Sequence, residues 1–391
     1  MSIDSKLLDY CETDTQIETV EAVLKYGSHR KAAKELDKNS STITKCLKLV
    51  KLNAAKKGYA PDKDFTHPAA EGFNVKRVST AYKASGEIAL QWVIQEPEKQ
   101  RLAEILNSFR DGLKDEFKGV HTPIPAPEDT LDNLMNCYMI GDHHLGMYAW
   151  GAETGGEDYD TDLGVEVLEG AVDSLVARSP NAKQGLLCNL GDFFHSNNLK
   201  SETGSGTALD SDGRYGRTVR KGINLLKRLI VRLLEKHEIV TVMNVRGNHD
   251  PDAALWLNEA LKMYFQDDPR VIIPDNYNKF LYYEWGNSLI VLHHGDRITP
   301  QRIYEAVTRN LPKEWGRTAY KFGWLGHLHH KEAKEIGGML FEQWNVLAPP
   351  DAWHASCGFG SSRSMTCVVL NESFGEESRV TINPERLKND I

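Results

Sequence analysis

No apolar run in the 391 residues approaches the roughly 18 that a membrane-spanning helix needs. The opening residues, MSIDSKLLDYCETD, are acidic where a secretory leader is basic and then apolar. Cysteine is scarce and scattered: Cys11, Cys46, Cys137, Cys188, Cys357 and Cys367 form no C-x-x-C pair and no framework spacing. That spacing excludes a disulfide scaffold and a thiolate zinc site, and leaves reduced thiols in a cytoplasmic protein with no membrane partner. Any metal site must therefore be built from nitrogen and oxygen. Internal repeats and low-complexity tracts are absent as well.

Positive charge is in deficit overall, with a formal net charge of −8, which by itself argues against a polyanion partner. The mean hides an uneven distribution. Between Lys25 and Lys57 ten lysines and arginines face only Glu35 and Asp37, a local charge of +8. A basic module on an acidic body delegates polyanion binding to one end of the chain.

Residues 1–59 read as three short helices. Ile17, Val20, Val23 and Leu24 recur at helical spacing up to a stop at Gly27, and Ser28 can cap a second helix containing Ala32, Ala33 and Leu36. After a break from Asp37 to Ser40, Ser41 caps a third helix that buries Ile43, Leu47 and Val50 and exposes Thr42, Thr44, Lys45, Lys48 and Lys51. The string GSHRKAAKELDKNSSTITKCLKLV resembles a helix-turn-helix of the resolvase or regulator type. That resemblance implies DNA contacts from Ser41, Thr42, Thr44, Lys45 and Lys48. A small helical adaptor with solvated lysines is the structural alternative.

Residues 60–128 change character. Val75–Tyr82 and Ile88–Ile94 are β-rich around an Ala84-Ser85-Gly86 break, a hairpin that is either the wing of a winged helix or a small separate sheet. A charged helix is expected from Pro97 to about Lys118, with Leu102, Ile105, Leu106 and Phe109 on one face. Three prolines between His121 and Pro127 then make a stiff linker, which sets the domain boundary.

Residues 129–391 alternate short apolar runs with amphipathic helices. Strands are expected at Met135–Ile140, Gly185–Leu190, Ile239–Val245, Ser288–Leu292 and Lys321–Leu325, with helices such as Val165–Ala177 and Thr218–Leu234 between them. The implied fold is α/β: two packed sheet layers flanked by helices, with a small N-terminal helical domain. Asn197–Gly216 is the one long loop. The helix Thr218–Leu234 buries Ile223, Leu226, Leu229 and Leu233, and its basic face (Arg217, Arg220, Lys221, Lys227, Arg228, Arg232) is either solvated or a second DNA surface.

Each expected strand ends in potential metal ligands: Gly-Asp142-His-His144, Gly-Asp192-Phe-Phe-His195, Arg-Gly-Asn248-His249-Asp250, His293-His294-Gly-Asp296 and Gly-His327-Leu-His329. Imidazoles with carboxylates and one amide oxygen suit borderline divalent ions. In an extended strand exit, residues i and i+2 point the same way, so Asp142 with His144, and His327 with His329, can each converge. Seven ligands are too many for one tetrahedral ion and suit two ions sharing a carboxylate. A lone histidine is more often a core or surface residue, and His121, His195 and His237 start from that reading.

The order DxH, GDxx, GNHD, HG, GHxH resembles the calcineurin-like metallophosphoesterases from about Leu131 onward, which implies their sandwich fold. The resemblance implies Asp142, His144 and His329 on one divalent ion and Asn248, His294 and His327 on the other, with Asp192 bridging. His294 is preferred over His293 because the family ligand directly precedes glycine. His249 is placed at the leaving group with Asp250 orienting its ring. Manganese is the first expectation for both ions, with iron, zinc, magnesium and nickel as alternatives.

Protein phosphatases of this superfamily continue the second motif as GDxxDRG. Here it is Gly-Asp192-Phe-Phe-His195, which resembles the SbcD-like DNA repair nucleases, where that histidine stabilises the phosphodiester. Only about 60 residues follow His329, too few for that branch's capping domain and docking helices. An ATPase partner is therefore not expected, and DNA capture falls to the N-terminal module. The layout suggests a phage or prophage enzyme acting in the host cytoplasm. The expected function is a metal-dependent phosphodiesterase, a deoxyribonuclease. Rival readings are a small-nucleotide phosphodiesterase or phosphatase, and a DNA-binding regulator with a metal-sensing domain.

Overall fold

Residues 4–69, 73–83, 85–97, 119 and 121–387 are described by a computed structural model, and the helix expected after Pro97 lies outside them. The chain divides into two units, Met1–Phe109 and Arg110–Ile391, each with its own apolar core.

The first unit opens with α1 (Asp14–Tyr26), α2 (His29–Glu35) and α3 (Ser40–Lys56). Thr13 caps α1 through Gln16 N–H, and Gly27 ends it at φ 62 with its N–H on the Val23 carbonyl. Val20, Val23, Ala32, Ala33, Ile43, Leu47 and Val50 form the core of the three helices, while Ile17 is exposed rather than on the buried stripe. The start of α3 also differs from expectation. Asn39 takes the cap position in extended backbone, and its carbonyl accepts from Thr42 N–H and Ile43 N–H, so Ser41 sits inside the first turn. Ser41, Thr42, Thr44, Lys45 and Lys48 are all exposed. Strands β1 (Phe73–Tyr82) and β2 (Ile88–Pro97) pair antiparallel as a two-stranded sheet. Tyr82 O–H donates to Asp64 Oδ2 (2.9 Å), and Gln91 donates to the Asp64 carbonyl (3.1 Å).

In the second unit the period-two pattern of apolar residues builds the layers. A six-stranded sheet runs β13-β12-β3-β4-β5-β6, and a five-stranded sheet runs β10-β11-β9-β8-β7. Strands β3 (Leu131–Ile140), β4 (Ala182–Asn189), β5 (Ile239–Asn244) and β6 (Val271–Ile272) are parallel. Strand β12 (Met365–Asn371) joins β3 antiparallel, and β13 (Gly375–Ile382) forms the edge. In the second sheet β8 (Ser288–His293), β9 (Tyr320–Leu325) and β11 (Met339–Gln343) are parallel, with β7 (Leu281–Trp285) and β10 (Glu332–Ile336) antiparallel at the edges.

Cys137 and Met139 of β3, Leu186 and Cys188 of β4 and Met243 of β5 meet Ile290, Leu292 and Trp324 between the sheets. Their strand neighbours Tyr138, Ile140, Leu187 and Val242 point the other way, onto α4 (Thr161–Arg178), α5 (Tyr215–Leu234) and α6 (Ala253–Tyr264). Leu289 and Val291 of β8 likewise turn outward onto α7 (Pro300–Asn310). All six cysteines are free thiols, and among the described residues no helix is long and apolar enough to cross a membrane.

Much of the basic face of α5 is ion-paired, although Arg220 stays exposed. Arg217 and Lys221 pair with Asp162, Arg228 with Glu169 and Arg232 with Asp173, so the acidic face of α4 runs along it. The proline-rich segment belongs to the second unit and is fastened there. Arg270 donates to the Ile124 carbonyl (2.7 Å), and His121 Nε2 lies 3.0 Å from Asp268 Oδ2.

His237 is a core histidine. Its Nδ1 donates to the Ala182 carbonyl (2.6 Å) and its Nε2 meets Tyr138 O–H (3.0 Å). Burial pushes its imidazole down to about 4, so the folded state resists a proton that the unfolded chain accepts below its ordinary value of about 6.5. The stability this group contributes is therefore present above pH 6.5 and lost as pH falls toward 4. At about 1.4 kcal/mol per pH unit, the total is on the order of 3 kcal/mol. His237→Gln should flatten the fall of the melting temperature across that window, measured by circular dichroism. An unchanged slope would contradict the assignment.

Candidate metal centre

Five parallel strands deliver the chemistry to one edge of the sandwich. β3, β4 and β5 end just before Asp142, Asp192 and Asn248, and β8 and β9 end just before His294 and His327. Carboxyl ends of parallel strands are where open α/β sheets bind their ligands. The two sheets meet there: His327 N–H donates to Asp142 (2.8 and 2.9 Å), and His294 Nε2 lies 3.0 Å from Asp192 Oδ2. Within the six-stranded sheet His249 N–H donates to Asp192 Oδ1 (2.7 Å).

Glycines in the motifs make room for these carboxylates. A Cβ at Gly247 would overlap the Asp192 carboxylate, and one at Gly326 would overlap that of Asp142. The backbone is also held in an unusual state. His144 (φ 49), Asp192 (φ 50), His327 (φ 81) and His329 (φ 57) all lie in the left-handed region, which costs about 1–3 kcal/mol per residue and concentrates at functional sites.

The side chains gather into three groups whose ligand atoms lie within 4.8 Å of one another: Asp142, His144 and His329; Asp192, His294 and His327; and His144, His195 and His249. His144 Nε2 and His329 Nε2 are 3.1 Å apart, and His329 Nε2 is 3.0 Å from Asp142 Oδ2. His294 Nε2 lies 3.0 Å from Asp192 Oδ2 and 3.1 Å from Asn248 Oδ1. The extended exit expected for His327 and His329 is replaced by left-handed turns, and the two histidines enter different groups. His293 stays outside them. Its Nδ1 accepts from Gly295 N–H and its ring packs on Phe280. Asp296 is ion-paired with Lys279 (2.7 Å).

His249 Nδ1 donates to the His195 carbonyl (2.8 Å), so a main-chain oxygen, not Asp250, orients this ring. The Asp250 carboxylate accepts from Phe194 N–H and Gly247 N–H (both 3.1 Å) and ties the second and third motif loops together. Burial, reinforced by the nearby Asp192 charge, lifts Asp250 to about 7.

Burial also drives His144 far below its usual range, and it takes His195 down to about 4 with help from His249. Both imidazoles are then neutral near pH 7, the state in which a ring nitrogen ligates a metal. For His294 burial works downward, and the Asp192 and Asp142 charges overcome it and hold the ring up. For Asp192 burial works upward and is outweighed chiefly by His294, so the carboxylate stays ionised. A cation bound at this pair would take the place of the His294 proton. Neutral imidazoles, two buried carboxylates and an amide oxygen fit divalent ions.

Two residues at the rim were not visible in the motif pattern. His354 stacks on His329 (centroids 5.1 Å apart, 22° between planes). Asp351 accepts from His354 Nδ1 (2.7 Å) and His354 N–H (2.8 Å). They lie in the irregular segment after β11, outside the five motifs. An Asp three residues before a His is a helix-cap pattern that could have drawn notice.

The exposed module residues Ser41, Thr42, Thr44, Lys45 and Lys48 belong to the first unit. A search of curated sequences returns no match. Similar solved structures include a predicted phosphoesterase from Streptococcus pneumoniae (14% identity, TM-score 0.31, covering 64% of this chain and 91% of that one). Another is an archaeal phosphodiesterase (12%, 0.32, 63% and 100%). A third is Yfce, a phosphoesterase from E. coli (18%, 0.31, 64% and 100%). The sequence model of the calcineurin-like phosphoesterases matches residues 135–352, a span that opens in β3 and holds all five motifs, and the chain belongs to that family.

Proposed function

We propose that the chain is a divalent-metal-dependent phosphodiesterase that cleaves DNA. Asp142, His144 and His329 hold one ion, Asn248, His294 and His327 the other, and Asp192 is shared, with manganese the first choice for both. When bound, the two ions supply positive charge for the attacking and leaving oxygens of phosphoryl transfer. The protein's own part is positional. His249, fixed at Nδ1 by the His195 carbonyl, has Nε2 left to bond a phosphoryl oxygen or pass a proton to the leaving group. His195 lies beside both His144 and His249 (ring centroids 5.3 and 5.5 Å) and lines the phosphate's place with a neutral ring.

The observation that carries a diester over a monoester is the second motif, in which His195-Ser196 stand where a phosphatase presents its Asp-Arg pair, so the arginine that grips a monoester is missing there. Arg246, the motif arginine, is spent on the Pro251 and Tyr277 carbonyls. DNA is favoured by the +8 segment. We read α2 and α3 as a helix-turn-helix with α3 as the recognition helix and the β1–β2 hairpin as its wing. Lys45 and Lys48 are exposed on α3 and make no ion pair among the described residues. The basic face of α5 is matched by α4 and is a weaker candidate.

The test is Lys45→Ala/Lys48→Ala in the full chain. Binding to duplex DNA should weaken, and the log–log salt slope should flatten by about 0.9 for every phosphate that the lysines no longer neutralise. Hydrolysis of bis(p-nitrophenyl) phosphate should stay unchanged. An unaltered slope would remove α3 from the DNA surface. Faster cleavage of a cyclic dinucleotide than of DNA would favour a small-nucleotide enzyme, and DNA binding with no hydrolysis under any metal would favour a regulator.

A further inference from the structure

The rim segment after β11 carries exposed aromatic rings that the chemistry above does not use. Trp353 is 61% exposed and Phe359 57%, with Leu328, between the two motif histidines, at 53%. The rings form a connected series. His354 stacks on His329, Trp353 meets His354 (4.9 Å, 85°), and Phe359 meets Trp353 (5.7 Å, 39°).

The segment is fixed rather than loose. Asp351 caps the turn Ala352–Ser356 and holds the His354 ring. Phe359 N–H donates to the His354 carbonyl (2.9 Å), and Ser361 Oγ donates to the His329 carbonyl. The turn Gly151–Thr154, which follows the first motif, lies against it and brings Tyr148 and Trp150, also exposed. Aromatics exposed singly are ordinary, but a connected series of them is the kind of patch that marks a binding surface, and this series begins at a candidate metal ligand.

We propose that Trp353 and Phe359 form a platform on which the nucleobase next to the scissile phosphate stacks. This rests on the phosphodiesterase reading above and names its substrate class: a nucleotide diester, recognised through the face of the base. A phosphate held at the metal centre leaves its nucleoside within reach of the rim, and a planar ring is the group that tilted aromatic faces accept. Every base has such a face, so the platform does not select sequence.

The test compares Trp353→Ala/Phe359→Ala with the parent protein on two esters sharing one leaving group, thymidine 5′-(p-nitrophenyl phosphate) and methyl p-nitrophenyl phosphate. Base–aromatic stacking is worth a loss of about 5- to 100-fold in kcat/KM. That loss should appear on the thymidine ester, with the methyl ester unchanged within about twofold. Trp353→Leu/Phe359→Leu keeps apolar bulk without ring faces and should behave like the alanine pair. Equal loss on both esters, no loss on either, or full recovery with leucine would overturn the platform.

A second readout does not depend on hydrolysis. A dinucleotide containing 2-aminopurine should be quenched on binding to the parent protein and not to the alanine pair, with magnesium as the ion. Equal quenching by both overturns the proposal. Selective quenching by a protein that hydrolyses neither ester would uphold base binding while overturning the phosphodiesterase reading.

Discussion

Asp192→Asn should reduce hydrolysis of every phosphoester by more than about 100-fold, the scale on which removing one preorganised electrostatic partner acts. This carboxylate touches both the fourth-motif histidine and the third-motif loop. Its Oδ2 meets His294 and its Oδ1 takes the His249 N–H, it is fully buried, and its backbone is left-handed at φ 50. Asparagine keeps the shape and the acceptor for His249 N–H but removes the shared negative charge. Metal content should fall below two ions per chain, with circular dichroism unchanged. Retention of more than a few per cent of activity at saturating metal would show that the two groups do not share this carboxylate.

His249→Ala should act in a different way. The ring is held by a main-chain carbonyl, and His249 joins only the group formed with His144 and His195. Two ions should therefore remain bound while turnover falls by about 10²- to 10⁴-fold, the usual worth of a positioned acid or base. Metal analysis by mass spectrometry together with kcat separates the two variants. Loss of an ion from His249→Ala would make this residue a ligand.

The layers and the site differ in how far they could be read from sequence. β3, β4, β5, β8 and β9 were legible because each is an apolar run closed by a Gly-containing motif. Their period-two faces follow from the two cores, as with Cys137 and Tyr138. β10 and β13 were not, because edge strands such as Glu332–Ile336 carry mostly exposed, charged residues and lack an apolar run; β11 is interior, but its apolar stretch is only Met339–Phe341.

At the site, the residue types and their order were readable, but the local backbone was not. The left-handed turns at His327 and His329 depend on carboxylates arriving from the other sheet, which no local pattern encodes. For the same reason the sequence put Asp250 on the His249 ring, where the fold supplies the His195 carbonyl. The basic face of α5 was left open between a solvated face and a DNA surface because its partners on α4 lie 55 to 59 residues away in sequence.

The most direct test titrates a divalent ion into chelator-stripped full-length protein and follows bis(p-nitrophenyl) phosphate hydrolysis against bound equivalents. Two ions should bind per chain, and activity should appear as the second site fills. Binding of a single ion, or hydrolysis that survives exhaustive chelation, would contradict the two-metal centre.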